Sequence, residues 1–139
     1  ILAFDLNEDS QFADQFNIRY VSLDDLFENS DIISIHLIYS EKTHNLLNYE
    51  SFKKMNKRPI LINASRGGII NEGDLFRALD ENLFLGVGLD VFDSEPYLGP
   101  LTKFKNVIMT PHIGSYAKEI RIQMEIEAAK NLVNGLQVG

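Results

Sequence analysis

Pro59-Ile60-Leu61-Ile62-Asn63-Ala64-Ser65-Arg66-Gly67-Gly68-Ile69-Ile70-Asn71-Glu72-Gly73-Asp74 passes from an apolar run, through a turn with one guanidinium and two glycines, to a residue able to cap a helix. Residues Pro59 to Asn63 form an apolar run without charge, so they read as a buried strand. Asn71 supplies an N-cap oxygen with Asp74 at the third helical position, so Asp74 to Glu81 reads as the helix that follows. Strand, polar turn, helix is the repeating unit of a parallel sheet.

The same unit recurs on both sides. Upstream, Ser10 to Phe16 reads as a short polar helix and Ile18 to Val21 as a weak strand. Ser22, with Asp25 three residues on, caps a helix over Leu23 to Asn29, and the β-branched residues of Ile32-Ile33-Ser34-Ile35 suit a strand buried on both faces better than a helix. Tyr49 to Met55 is a helix. Downstream, Leu85 to Asp90 and Val107 to Thr110 are strands, the first with Gly86 and Gly88 for close packing. Ile120, Met124, Ala128, Leu132 and Leu136, at i, i+4 spacing with Gly135 near the end, describe an amphipathic helix with a C-terminal stop. The chain is therefore expected to be a single α/β unit over residues 1–139, a doubly wound parallel sheet of Rossmann type.

Composition narrows the function. The 139 residues carry 13 Lys and Arg against 20 Asp and Glu, a formal net charge of −7, so the basic surface needed to track a phosphate backbone is missing and nucleic acid is not an expected partner. Cysteine is absent, which removes disulfides and thiolate metal sites, and no His-x-x-x-His pair occurs, so no metal centre is expected. No apolar run approaches the roughly 20 residues of a membrane span. Neither a basic leader nor a hydrolase Gly-x-Ser-x-Gly elbow is present. A cytoplasmic protein without a membrane partner is the expectation.

Open α/β sheets bind ligands at the carboxyl ends of their strands. Those ends carry Asp5, His36, the run Ala64-Ser65-Arg66-Gly67-Gly68, Asp90 with Glu95 shortly after, and Pro111-His112-Ile113-Gly114. Asp5 reads either as a solvated strand-end carboxylate or as an acceptor for ribose hydroxyls. No Arg or Lys follows it in Leu6-Asn7-Glu8, which favours NAD over NADP. Arg66 is either a surface arginine in a glycine turn or a planar fork for a carboxylate. His112 has the residue type for proton transfer at working pH, and Glu95 the type that orients an imidazole and favours its protonated form. His36 reads as packing or lining a cofactor groove, and His44 as a loop histidine.

Three of these stretches together resemble the D-isomer specific 2-hydroxyacid dehydrogenases. Asn63-Ala64-Ser65-Arg66-Gly67-Gly68-Ile69-Ile70-Asn71-Glu72 resembles that family's arginine motif. Gly88-Leu89-Asp90-Val91-Phe92 with Ser94-Glu95-Pro96 resembles its glutamate motif, and Thr110-Pro111-His112-Ile113-Gly114-Ser115 its histidine motif. Phosphoglycerate dehydrogenases are the nearest branch, which makes 3-phosphoglycerate a candidate substrate. The resemblance implies an NAD-dependent interconversion of a D-2-hydroxy acid and its 2-keto acid, with a homodimer as the full-length form. By the same resemblance Arg66 holds the substrate carboxylate, His112 is the acid/base and Glu95 its partner. Asp5 binds the adenosine ribose, Asp90 approaches the nicotinamide side, and Ala64, Ser65 and Arg66 line the cofactor. Leu37, Ile38 and Thr43 border the dinucleotide, as do His112, Ile113, Gly114 and Ser115. Formate dehydrogenases of the superfamily fit less well, because Glu95 stands where they resemble a glutamine-bearing site. A non-enzymatic, NAD-sensing corepressor of the same fold is the alternative.

Two departures carry consequences. Ile38 stands where the family has proline after the strand ending at His36. The glycine-rich turn and its strand, central in a 3-2-1-4-5-6 sheet, do not occur in residues 1–139, nor does the substrate domain. The expectation is a partial NAD-binding domain, with the first strand and glycine-rich turn missing at its N-terminal side and the two halves of its sheet separated.

Overall fold

A computed structural model describes residues 1–137 of the chain. The elements run β1 (Leu2–Ala3), α1 (Ser10–Phe16), β2 (Arg19–Tyr20), α2 (Leu23–Asn29), β3 (Ile32–Ile35), α3 (Tyr49–Lys53), β4 (Ile60–Asn63), α4 (Glu72–Asp80), β5 (Gly86–Leu89), a single 3-10 turn at Pro100–Lys103, β6 (Val107–Met109) and α5 (Lys118–Gln137). Every strand pairing is parallel. Capping decides several boundaries. Ser22 Oγ accepts the amide of Asp25, and Asn71 Oδ1 accepts that of Asp74, as the spacing of these residues predicts.

The sheet comes in two pieces. β1 pairs only with β2, while β3, β4, β5 and β6 form a separate four-stranded sheet in that order. A cleft of about 390 Å³ lies between the pieces, lined by Leu2, Ala3, Ile33 and Ile35 among others. The separation expected from the sequence is present, and the cleft falls where a central strand would hydrogen-bond to both β1 and β3.

Burial corrects two expectations. β3 alternates: Ile33 and Ile35 are buried, but Ile32 is 61% exposed and Ser34 is exposed. β4 alternates too, with Leu61 and Asn63 buried and Ile62 facing solvent. The buried face carries Val87 and Leu89 of β5 as well and packs on Phe27 of α2, Phe52 of α3, and Leu75, Ala78 and Leu79 of α4. No described element covers the opposite face, where Ile32, Ile62 and Ile108 lie exposed. A run of β-branched residues reports strand propensity, while burial on a second face needs a second layer to supply it.

The last helix differs more. α5 runs through Gly135 to Gln137 without a stop, and every residue from Tyr116 to Leu136 is exposed. Its apolar residues do not form one stripe. Ile122 and Ile126 stand across the helix from Ile120 and Met124, because two residues at 100° each place a side chain on the far face. No described helix, α5 included, is long and apolar enough to cross a membrane.

Candidate active site

The arginine turn is built from β4 outward. Asn63, the last residue of that strand, is buried, and its Oδ1 accepts both the amide and the hydroxyl of Ser65 while its Nδ2 donates to the carbonyl of Arg66. One side chain thereby satisfies the backbone of a turn that has no ladder partner. Gly67 has no space for a side chain, since a Cβ there would lie 2.0 Å from the carbonyl oxygen of Phe92. Gly68 adopts φ 75°, in the left-handed region. The close approach at Gly67 brings the arginine turn against the loop after β5. That loop is held in turn by Glu72 at the start of α4, whose Oε1 accepts the Asp93 amide at 2.9 Å. Burial pushes the Glu72 carboxyl up, with the bond from Asp93 opposing and the Asp93 charge adding to it.

Glu95 and His112 meet on the same side. His112 Nδ1 and Glu95 Oε2 are 2.9 Å apart, and the other Glu95 oxygen accepts the Phe92 amide at 3.1 Å. The imidazole bond and then the amide bond hold the Glu95 carboxyl below its ordinary value. A carboxylate on Nδ1 leaves Nε2 as the ring's free edge.

His112 takes a left-handed backbone conformation with φ 55°, which costs energy for a residue with a Cβ. Asp90 holds the loop there. Its carboxylate is buried and accepts the Thr110 hydroxyl at 2.5 Å and the amides of Ile113 and Gly114 at 2.9 Å each. Burial works against its charge, yet these three bonds, with His112 close by, keep the carboxyl below its ordinary value.

Arg66, Glu95 and His112 line one cleft of about 560 Å³. Arg66 is exposed, and its Nη1 donates to the Ser65 carbonyl at 2.6 Å. The other sequence-derived positions divide. Asp5 is exposed at the end of β1, with one oxygen accepting the Asn7 amide at 2.8 Å, and it lines the cleft between β1 and β3 together with His36 and Leu37. Ile38 is 85% exposed. The Thr43 hydroxyl is committed to its own loop, donating to the carbonyl of Ile38 and accepting the Ser40 amide, each at 2.8 Å. The amides of Ile113 and Gly114 are already engaged by Asp90. Ala64 is exposed and Ser115 half-buried.

The sequence does not single out Tyr39 or Asp93 and reads His44 only as a loop histidine, yet all three line the arginine cleft. It also gives Asn63 no role as the brace of the turn. A polar residue closing an otherwise apolar strand was the available sign for Asn63. His44 had none, because its place depends on how a loop folds back.

Residues 1–114 match the profile described as D-isomer specific 2-hydroxyacid dehydrogenase, NAD binding domain. The chain belongs to this family. It is 41% identical over 129 residues to glyoxylate/hydroxypyruvate reductase B of Cronobacter sakazakii, covering 91% of this chain and 40% of that protein. Among solved structures, this NAD-binding domain superposes on a glyoxylate reductase from Paecilomyes thermophila with a TM-score of 0.87 at 31% identity, covering 94% of this chain and 40% of that one. It superposes on D-lactate dehydrogenase from Aquifex aeolicus, complexed with NAD and lactic acid, with a TM-score of 0.82 at 30% identity, covering 96% and 46% respectively. The domain thus spans less than half the length of these relatives.

The residues present fit the two ends of a dinucleotide. Asp5 offers an exposed carboxylate at the carboxyl end of β1, and the cleft of Arg66 and His112 opens at the carboxyl ends of β4 and β6. No glycine-rich turn opening a helix lies between them among the described residues, so the chain forms no cradle of that type for a pyrophosphate.

Proposed function

We propose that this domain, joined to a substrate domain in the complete protein, carries the acid-binding and proton-transfer residues of an NAD-dependent oxidoreductase for a short D-2-hydroxy acid and its 2-keto acid. The observation that carries the reading is the Glu95–His112 contact at 2.9 Å in the cleft that Arg66 also lines. An acid anchor and an oriented acid/base side by side suit a substrate whose carboxylate adjoins the reacting carbon.

Arg66 binds the substrate carboxylate through its planar fork. His112, through Nε2, gives a proton to the keto oxygen during reduction and takes it from the hydroxyl during oxidation. Glu95 fixes the ring and stabilises its charged form. Asp90 holds the His112 loop in place and adjoins the nicotinamide side. Asp5 takes the ribose hydroxyls of the adenosine half and repels a 2'-phosphate. NAD, when bound, accepts or donates the hydride. Ala64, which is exposed, and the loop of Leu37 and Ile38 border it, and the internal bonds of Thr43 keep that loop in shape.

Glyoxylate and hydroxypyruvate are the substrates we favour, because relatives covering most of the chain are named as reductases of these acids. 3-Phosphoglycerate rests on motif likeness alone. We extend the family expectation of a homodimer to the complete protein, with sedimentation as its test. The enzymatic reading is tested by reduction of glyoxylate and hydroxypyruvate with NADH in the complete protein. Turnover abolished by Arg66→Ala supports it, and a complete, folded protein that binds NADH without reducing any 2-keto acid overturns it in favour of a scaffold.

A further inference from the structure

Part of the lining of the Arg66 cleft is made by Tyr39 and His44, two side chains that the proposed chemistry leaves unused. Asn45, with φ 52°, donates its amide to the Gly68 carbonyl at 2.8 Å, which fastens their loop to the arginine turn. Tyr39 lies over Gly68, where a Cβ would meet its ring at 2.7 Å, so glycine is what admits the aromatic. The Tyr39 hydroxyl and His44 Nδ1 are 3.3 Å apart, with the two rings edge-on.

The hydrogen-bond directions follow from the donors available. Asn45 Nδ2 stands 3.0 Å from His44 Nε2, and an amide nitrogen can only donate. Nε2 therefore accepts, the ring hydrogen is on Nδ1, and Nδ1 donates to the Tyr39 oxygen. The phenolic hydrogen is then left over. Tyr39 presents a free O–H donor on a wall of the cleft that also holds Arg66 and His112.

A 2-keto acid has three groups to place in the plane of its reacting carbon. On the proposed reading Arg66 takes the carboxylate and His112 the oxygen, which leaves the substituent on C2. We propose that Tyr39, oriented by His44, receives that substituent and selects 3-hydroxy-2-oxo acids, its O–H donating to the C3 hydroxyl. Two carboxylates, Asp93 and Glu95, line the same cleft and would repel a phosphorylated or carboxylated tail. A neutral polar tail is the class that fits. This inference rests on the roles given above to Arg66 and His112.

The test uses the complete enzyme and compares kcat/KM for hydroxypyruvate with that for pyruvate, which has a methyl group in place of the hydroxymethyl. In Tyr39→Phe the ratio should fall about fivefold, the usual worth of one hydrogen bond to a neutral partner, with the change mainly in KM. The ring remains over Gly68 in that variant, so packing is preserved. His44→Leu should lower the same ratio by freeing the phenol to turn away. A ratio within about twofold of the parent in either variant overturns the proposal and leaves the reductase reading intact. A parent enzyme that reduces glyoxylate but not hydroxypyruvate overturns this inference alone, and one that reduces no 2-keto acid removes the reductase reading and this inference with it.

Discussion

At the scale of single residues, the weight falls on Glu95, His112 and Asp90. Removing the imidazole in His112→Ala should lower turnover of the complete enzyme by about 100-fold to 10,000-fold, the range for losing a general acid/base. Steady-state rates with and without added imidazole check this. Glu95→Gln should act chiefly on the pH profile. A neutral amide favours a protonated ring less than a carboxylate does, so the alkaline limb of keto-acid reduction should move to lower pH; an unmoved limb would show that the 2.9 Å contact has no part in catalysis. The depressed Glu95 carboxyl makes a matching statement about folding. Its contribution is present above the usual glutamate range and lost as pH falls through the lowered value. Asp90→Ala leaves two amides and a hydroxyl without their acceptor and should cost roughly 1–3 kcal/mol of stability, with faster amide exchange at Ile113 and Gly114. The chemistry-bearing residues were legible because each follows the carboxyl end of a strand and has a reactive type. Asp90 was read as a cofactor neighbour, and its three bonds could not be seen before the loop after β6 was placed over it.

At the scale of elements, propensity and capping were readable and covering layers were not. Ser22 and Asn71 mark the starts of α2 and α4 by local chemistry that needs no knowledge of the rest of the fold. Which face of β3 or α5 is buried depends on what lies against it, and neither Ile32 nor Ile120 carries that information. The junction of α4 with the loop after β5 gives a test of sign. Glu72 is an acid whose value is raised by burial, so its ionised form weighs against the folded state above the raised value, and that penalty vanishes below the usual glutamate range. Glu72→Gln keeps an oxygen for the Asp93 amide and removes the charge. Its melting temperature should exceed that of the parent at pH 7, and the gap should close as the solution is taken to acid pH. A variant less stable at neutral pH would mean that the favourable field at the start of α4 outweighs desolvation.

At the scale of the whole molecule, the split sheet governs behaviour. The 139-residue chain offers Asp5 at one end and the Arg66 cleft at the other, with no helix N-terminus of the glycine-rich type between them among the described residues. Its affinity for NAD should accordingly be weaker than about 0.1 mM, because two separated contacts must offset the cost of ordering a flexible ligand. Isothermal titration of the isolated chain measures it, and micromolar binding would place the phosphate site somewhere in this sequence not yet recognised. The division of the sheet also sets a clock on the backbone. β1 and β2 are two residues each and share no ladder with β3, so the amides of Val21 and Arg19 can open to deuterium without disturbing Leu61 or Leu75, both fully buried. Dissolved in heavy water, the chain should label in two waves, its first twenty or so residues early and the β3–β6 body late.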